Sequence, residues 1–193
     1  YRGYAAQDLC EYCRFEEVAY LILNKDLPNT LQLRKFEKEE KNNRELSKDL
    51  YSIIKRMPKK SHPMDVARTA VSIMGLEDKE TIDSSLEANM RKAIRILAKT
   101  PTALAAFYRI RKGKKIIKPK KNLNIAENFF YMCFGKVPQK EIVKAFDVSL
   151  ILYAEHSFNV STFTARTITS SLSDIHGAIT GAIASLKGPL HGG

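Results

Sequence analysis

Apolar residues recur along this chain at intervals of three and four, the spacing of a helix with one buried face. Phe15, Val18, Ala19 and Ile22 share such a face, and Leu27-Pro28 is expected to close that helix. The stretch from Leu31 to about Lys41 is polar and charged and reads as a solvated helix. From Asp65 to Met74, the residues Val66, Ala67, Ala70, Val71 and Met74 form an inward stripe, with Gly75 as the stop signal. Leu86, Met90, Ile94 and Leu97 make a further stripe. Pro101 interrupts it before Leu104, Phe107 and Tyr108 carry a helical face on to Gly113, a pattern that means either a kink or two helices. Ile142, Val143, Phe146, Leu150 and Tyr153 predict another helix between Gln139 and His156.

The last helix, Asp174 to Leu186, places Leu172, Ile175, Ile179, Ala182, Ile183 and Leu186 along one side. Gly177, Ala178, Gly181 and Ala182 keep its surface narrow. Its G-x-x-x-G sits in too short an apolar run for lipid, so the small residues predict close approach of another helix, within the subunit or between subunits. Strand-like alternation is missing, and only Lys115 to Pro119 hints at an extended piece. The fold class that follows is all-α, many helices in one substantial domain.

Composition is that of a soluble globular chain: 193 residues, 44% hydrophobic and 27% charged. Lys and Arg number 32 against 21 Asp and Glu, a net charge of +11. This surplus favours anionic partners, whether nucleic acid, acidic lipid, CoA esters or dicarboxylates. The densest basic run, Lys112, Lys114, Lys115, Lys118, Lys120 and Lys121, has no interleaved aromatics and reads as a solvated connecting loop rather than a nucleic-acid contact. No stretch approaches the roughly 20 apolar residues of a membrane span, and no signal peptide is visible. Three cysteines suit a reducing compartment. Cys10 and Cys13 form a C-x-x-C in a helical stretch with no second ligand pair, so packing is expected there and no metal. The chain opens at Tyr1 without an initiator Met and stops at Gly193 inside a glycine-rich turn, an unusual end for a domain.

An all-helical protein gathers reactive groups at helix ends and loops. His156 follows a helix end and precedes Ser157, Phe158, Asn159 and Ser161, a cluster of donors able to cradle a carboxylate; a plain capping role is the alternative. His191 lies in Lys187-Gly188-Pro189-Leu190-His191-Gly192-Gly193, where the turn and the two glycines would display the imidazole with room for close approach. An ordinary surface histidine would look the same. His62, before Pro63 at a helix start, and His176, on the small-residue helix, are better explained structurally.

Several segments together resemble one family. They are Tyr1-Arg2-Gly3-Tyr4, Phe15-Glu16-Glu17-Val18-Ala19-Tyr20-Leu21, Leu27-Pro28, and His62-Pro63-Met64-Asp65-Val66-Ala67-Arg68-Thr69-Ala70-Val71-Ser72. Glu155-His156-Ser157-Phe158-Asn159-Val160-Ser161-Thr162-Phe163-Thr164-Ala165-Arg166 and Lys187-Gly188-Pro189-Leu190-His191-Gly192-Gly193 complete the set. In this order they are similar to the citrate and 2-methylcitrate synthases and span nearly the whole chain.

The resemblance implies a Claisen-type condensation of acetyl-CoA or propionyl-CoA with oxaloacetate, giving citrate or 2-methylcitrate and CoA. His191 matches the histidine that donates a hydrogen bond to the thioester carbonyl as the α-proton leaves. His156 matches the histidine that holds oxaloacetate, with Asn159 and Ser161 beside it. The CoA thioester is a substrate, so no cofactor and no metal are implied. The expected partners are oxaloacetate, acyl-CoA and a second subunit of a homodimer, with the Asp174–Leu186 helix at the subunit interface, and neither nucleic acid nor membrane. The compartment implied is the cytoplasm, or the mitochondrial matrix in a eukaryote. On the family pattern, residues 1–193 are a partial large domain truncated after the first catalytic histidine. The small domain and the remaining catalytic groups would lie downstream, and the fragment alone would be inactive. Two readings compete: a catalytically dead helical dimerisation scaffold, and a basic nucleic-acid-binding helical module.

Overall fold

A computed structural model describes residues 1–192; Gly193, the last residue of the glycine turn expected from the sequence, lies outside them. The described residues form ten α-helices and no strand. They are α1 (Ala6–Tyr12), α2 (Phe15–Asn24), α3 (Thr30–Asn42), α4 (Lys48–Arg56), α5 (Pro63–Glu77), α6 (Leu86–Arg111), α7 (Ile125–Phe134), α8 (Lys140–Tyr153), α9 (Val160–Ser170) and α10 (Ile175–Leu186). The organising element is α6. At 26 residues it is about 39 Å long, and three apolar clusters meet along it. Ile96, Ala103, Ala106 and Phe107 join the residues of α4 and α5, with Ile175, Ile179 and Ile183 of α10 laid against them. Ile94 meets Ala19 of α2 and Phe36 of α3, and Ala105 meets Met132 and Cys133 of α7. Leu9, Val18, Leu21 and Ile151 bind α1, α2 and α8 in a fourth cluster, on which Cys10 and Cys13 pack as free thiols.

Several local expectations are corrected. The helix carrying Phe15 stops at Asn24, three residues before Leu27-Pro28, because Lys25 turns into the left-handed region at φ 76° and donates its N–H to the Leu21 carbonyl. Gly75 does not end its helix: α5 continues to Glu77. A Cβ on Gly75 would lie 2.8 Å from the Cβ of His176, so this glycine is where α10 crosses α5. Pro101 sits inside one continuous α6 rather than between two helices. The Lys115–Pro119 stretch contains no strand. Of the apolar side read along the last helix, Leu172 falls outside α10 and is 88% exposed, in a turn at φ 64°.

The basic segment between α6 and α7 is the connecting loop expected, with its lysines exposed, and its backbone is fastened at several points. Arg44, buried with its partner Glu40 at 2.6 Å, donates to the carbonyls of Lys120 and Leu123, both at 2.8 Å. The Lys120 N–H bonds the buried Asn128 side chain at 2.8 Å, and its ammonium lies 4.2 Å from the Tyr131 ring centroid. Arg109 holds the Lys115 carbonyl from the other side.

Candidate active site

Helices α9 and α10 form an antiparallel pair, which brings the N-terminus of α9 to the end of α10. Gly181 makes the pairing close: a Cβ there would collide with the Cδ1 of Ile168 at 2.2 Å, with Thr164 Cγ2 at 3.4 Å. This is the helix contact that the G-x-x-x-G predicted, and it lies within the chain. Gly177 takes no part, since its nearest neighbours are Ser173 and Asp174 of its own cap. Ile175, Ile179 and Ile183 meanwhile fix α10 on the α5–α6 core.

After α10 the chain turns sharply. Gly188 N–H reaches Ser185 O at 3.0 Å, and His191 N–H reaches Gly188 O at 2.9 Å. The turn is also tied to α5, where Lys187 Nζ contacts both carboxylate oxygens of Asp65 at 2.9 and 2.7 Å and Arg68 contacts Asp65 at 2.9 Å. The hydrogen bond from Lys187, with the two positive charges, holds the Asp65 carboxyl below its ordinary range.

The half-buried His191 ring then reaches the start of α9. Ser161 N–H donates to His191 Nε2 at 3.1 Å, and the Ser161 hydroxyl lies 2.8 Å from the same nitrogen and 2.9 Å from the Ala182 carbonyl. The first amides of a helix have no intrahelical acceptor. Asn159, the N-cap, satisfies that of Thr162 at 2.9 Å, and His191 satisfies that of Ser161. An N–H can donate only to an unprotonated ring nitrogen, so the bond from the Ser161 amide makes Nε2 the acceptor and leaves Nδ1 as the nitrogen that carries a proton. Nδ1–H is therefore the donor left available to a ligand.

Of the four residues singled out in the sequence, the fold brings His191 to Ser161, while His156 and Asn159 stand near Ser161 only along the chain. His156 is exposed in the segment between α8 and α9, beside Ser157, whose φ is 52° and whose N–H bonds the Glu155 carboxylate. Asn159 caps α9, and Ser161 orients His191. His62 caps α5, its Nδ1 accepting from Met64 N–H at 3.3 Å. His176 is buried near Asp78 at 3.5 Å, and burial lowers its pKa. The sequence reading missed Asp65 and Lys187 as a pair. They stand 122 positions apart, and no local pattern links them. No group of three His, Cys, Asp or Glu is placed to hold a metal among the described residues.

Comparison with known proteins decides the family. The family model described as "Citrate synthase, C-terminal domain" matches residues 1–193. The chain belongs to the citrate synthase family. Over its full length it is 48% identical to the 2-methylcitrate synthase of Mycobacterium tuberculosis, covering 49% of that protein. It is 50% identical to 2-methylcitrate synthase 2 of Corynebacterium glutamicum, covering 52%. Its fold matches the crystal structure of citrate synthase from Pyrobaculum aerophilum with a TM-score of 0.95 at 36% identity, over 100% of this chain and 50% of that one. A complex of the Thermoplasma acidophilum citrate synthase with carboxymethyl coenzyme A and oxaloacetate matches at 0.92 and 28% identity, over 98% and 50%. The chain thus spans about half the length of the relatives it matches. The all-helical fold expected from the sequence is the fold of this family.

Proposed function

We propose that the protein condenses an acyl-CoA with oxaloacetate, with His191 as the group that stabilises the enol of the thioester. The observation that carries this reading is the Ser161–His191 bond. It fixes both the ring orientation and the tautomer, leaving Nδ1–H to face a carbonyl oxygen as negative charge develops there. A pre-aligned donor at a developing oxyanion contributes on the order of 3 kcal/mol to the transition state. His156 and the side-chain amide of Asn159 supply donors for the carboxylates of oxaloacetate. Removal of the α-proton and polarisation of the oxaloacetate carbonyl call for further groups besides these. The enzyme works as a cytoplasmic homodimer in this proposal. No helix among the described residues is long and apolar enough to cross a membrane.

The acyl group is one methylene in question, worth only about 1 to 3 kcal/mol of discrimination in an apolar pocket. Relatives of both names stand at similar identity: the Mycolicibacterium smegmatis protein named citrate synthase is also 48% identical. The test is thiol release from acetyl-CoA and propionyl-CoA with oxaloacetate by the whole gene product. His191→Ala is expected to lower kcat at least a hundredfold, and the better substrate names the reaction. Turnover unchanged by His191→Ala, or none with either thioester, would overturn the proposal.

A further inference from the structure

The segment that carries His156, residues 154–159, is held at its start by a distant part of the chain. It leaves the C-terminal end of α8, where the last carbonyls of a helix have no intrahelical partner. The Tyr1 hydroxyl meets two of them, 2.9 Å from the Ile151 carbonyl, 150 positions away, and 3.1 Å from that of Leu152. Burial raises the pKa of this phenol, against the Glu155 backbone N–H that bears on its oxygen, so it stays a protonated donor at neutral pH. Tyr1 and Ala154 both pack on the cluster of Leu9, Val18, Leu21 and Ile151.

Tyr1 is itself anchored. The Tyr4 N–H closes a turn on the Tyr1 carbonyl at 3.0 Å, with Arg2 and Gly3 between them at φ 54° and 95°. Arg2 donates to the Ile22 carbonyl at 2.9 Å and the Tyr4 hydroxyl to Asp26 at 2.7 Å, which fixes the turn to the end of α2. Further along the segment the ties are local. Ser157 N–H bonds the Glu155 carboxylate, and the Phe158 ring stands edge-on to Phe163 with Arg166 5.0 Å from its centroid. His156 lies exposed between these fastenings. The direction in which the chain leaves α8 therefore decides where His156 stands, and small displacements of a binding group are costly.

We propose that Tyr1 is a positioning residue for oxaloacetate, acting through His156: its hydroxyl holds the end of α8 from which the His156 segment departs. The proposal rests on the reading of His156 as the histidine that holds oxaloacetate. Oxaloacetate binding to the whole gene product is measured by calorimetry for the parent, Tyr1→Phe, His156→Ala and the double variant. Tyr1→Phe keeps the ring on its cluster and removes only the hydroxyl. It is expected to weaken binding about fivefold, the worth of one hydrogen bond, and to leave the KM for acyl-CoA at saturating oxaloacetate within about twofold of the parent. Once His156 is gone, the same change should cost nothing further, so the two effects fail to add. Full additivity in the double variant would make Tyr1 merely structural and overturn the proposal. Unchanged binding in Tyr1→Phe, or an equal loss for acyl-CoA, would overturn it too, while a loss in His156→Ala would still uphold the role of His156. Parent-like binding by His156→Ala would overturn that role, and the proposal with it.

Discussion

Asp147 shows how a single residue sets a pH dependence. It is buried beside Glu16 and accepts the Phe15 N–H only at 3.2 and 3.4 Å. Burial and then the neighbouring carboxylate push its pKa up to about 6. A carboxyl raised by folding binds its proton more tightly in the native state, so stability falls as pH rises from about 4 to 6 and stays lower above that. Asp147→Asn keeps an acceptor for Phe15 without the charge. It is expected to raise the melting temperature at pH 7.5 and flatten the slope between pH 4 and 6, an effect of at most about 3 kcal/mol. A steeper slope on thermal melts would contradict this. Gly75 makes the complementary steric point. Its neighbour is the first side-chain atom of buried His176, which cannot swing away, so Gly75→Ala should cost about 1 to 3 kcal/mol by forcing α5 and α10 apart. Chemical denaturation measures it. Sequence alone read this glycine as a helix stop, since a stop and a crossing point carry the same letter.

Among the helices, legibility followed the apolar stripe. The core faces of α2, α5, α6 and α8 were visible because each buries a periodic row. Helix α9 was not, because no residue of it is buried and six of its eleven positions are β-branched Val, Thr or Ile between Val160 and Thr169. Its threonines return their hydroxyls to carbonyls one turn back, Thr164 to Val160 at 2.8 Å and Thr167 to Phe163 at 2.9 Å. The capping Asn159 was its one local signal. The site shares this blindness: His191 and Ser161 each stood out from its own local setting, but they meet only because α9 and α10 pair, and nothing in their spacing linked the two. The pairing itself is tolerant. The atom facing Gly181 is a terminal methyl that can rotate, and alanine gains up to about 1 kcal/mol in helix propensity. Gly181→Ala is therefore expected within about 0.5 kcal/mol of the parent, despite a shorter approach than at Gly75. A loss comparable to that of Gly75→Ala in the same denaturation series would show that Ile168 is locked.

At the scale of the molecule, the candidate site hangs between a firm body and a light one. On one side, Asp65 anchors the His191 turn to α5. Exposed pairs of this kind contribute less than about 1 kcal/mol to stability, yet small misplacements of a reacting group are costly in rate. Lys187→Met should therefore lower kcat about tenfold or more while changing the unfolding free energy by less than about 1 kcal/mol, and Lys187→Arg should restore most of it. Parallel losses in both quantities would make the pair merely structural. On the other side, α9 rests on α10 and leaves Phe163 and Val160 more than half exposed. A helix with so little buried opens at small free energy. Its amides should exchange with deuterium orders of magnitude faster than those of α5 and α6, and Ser161 should exchange with them. Each such opening releases His191 Nε2, so the lifetime of the correct tautomer is tied to the folding equilibrium of one short helix. Anything that settles on the outer face of α9 would then tune the chemistry without touching a substrate.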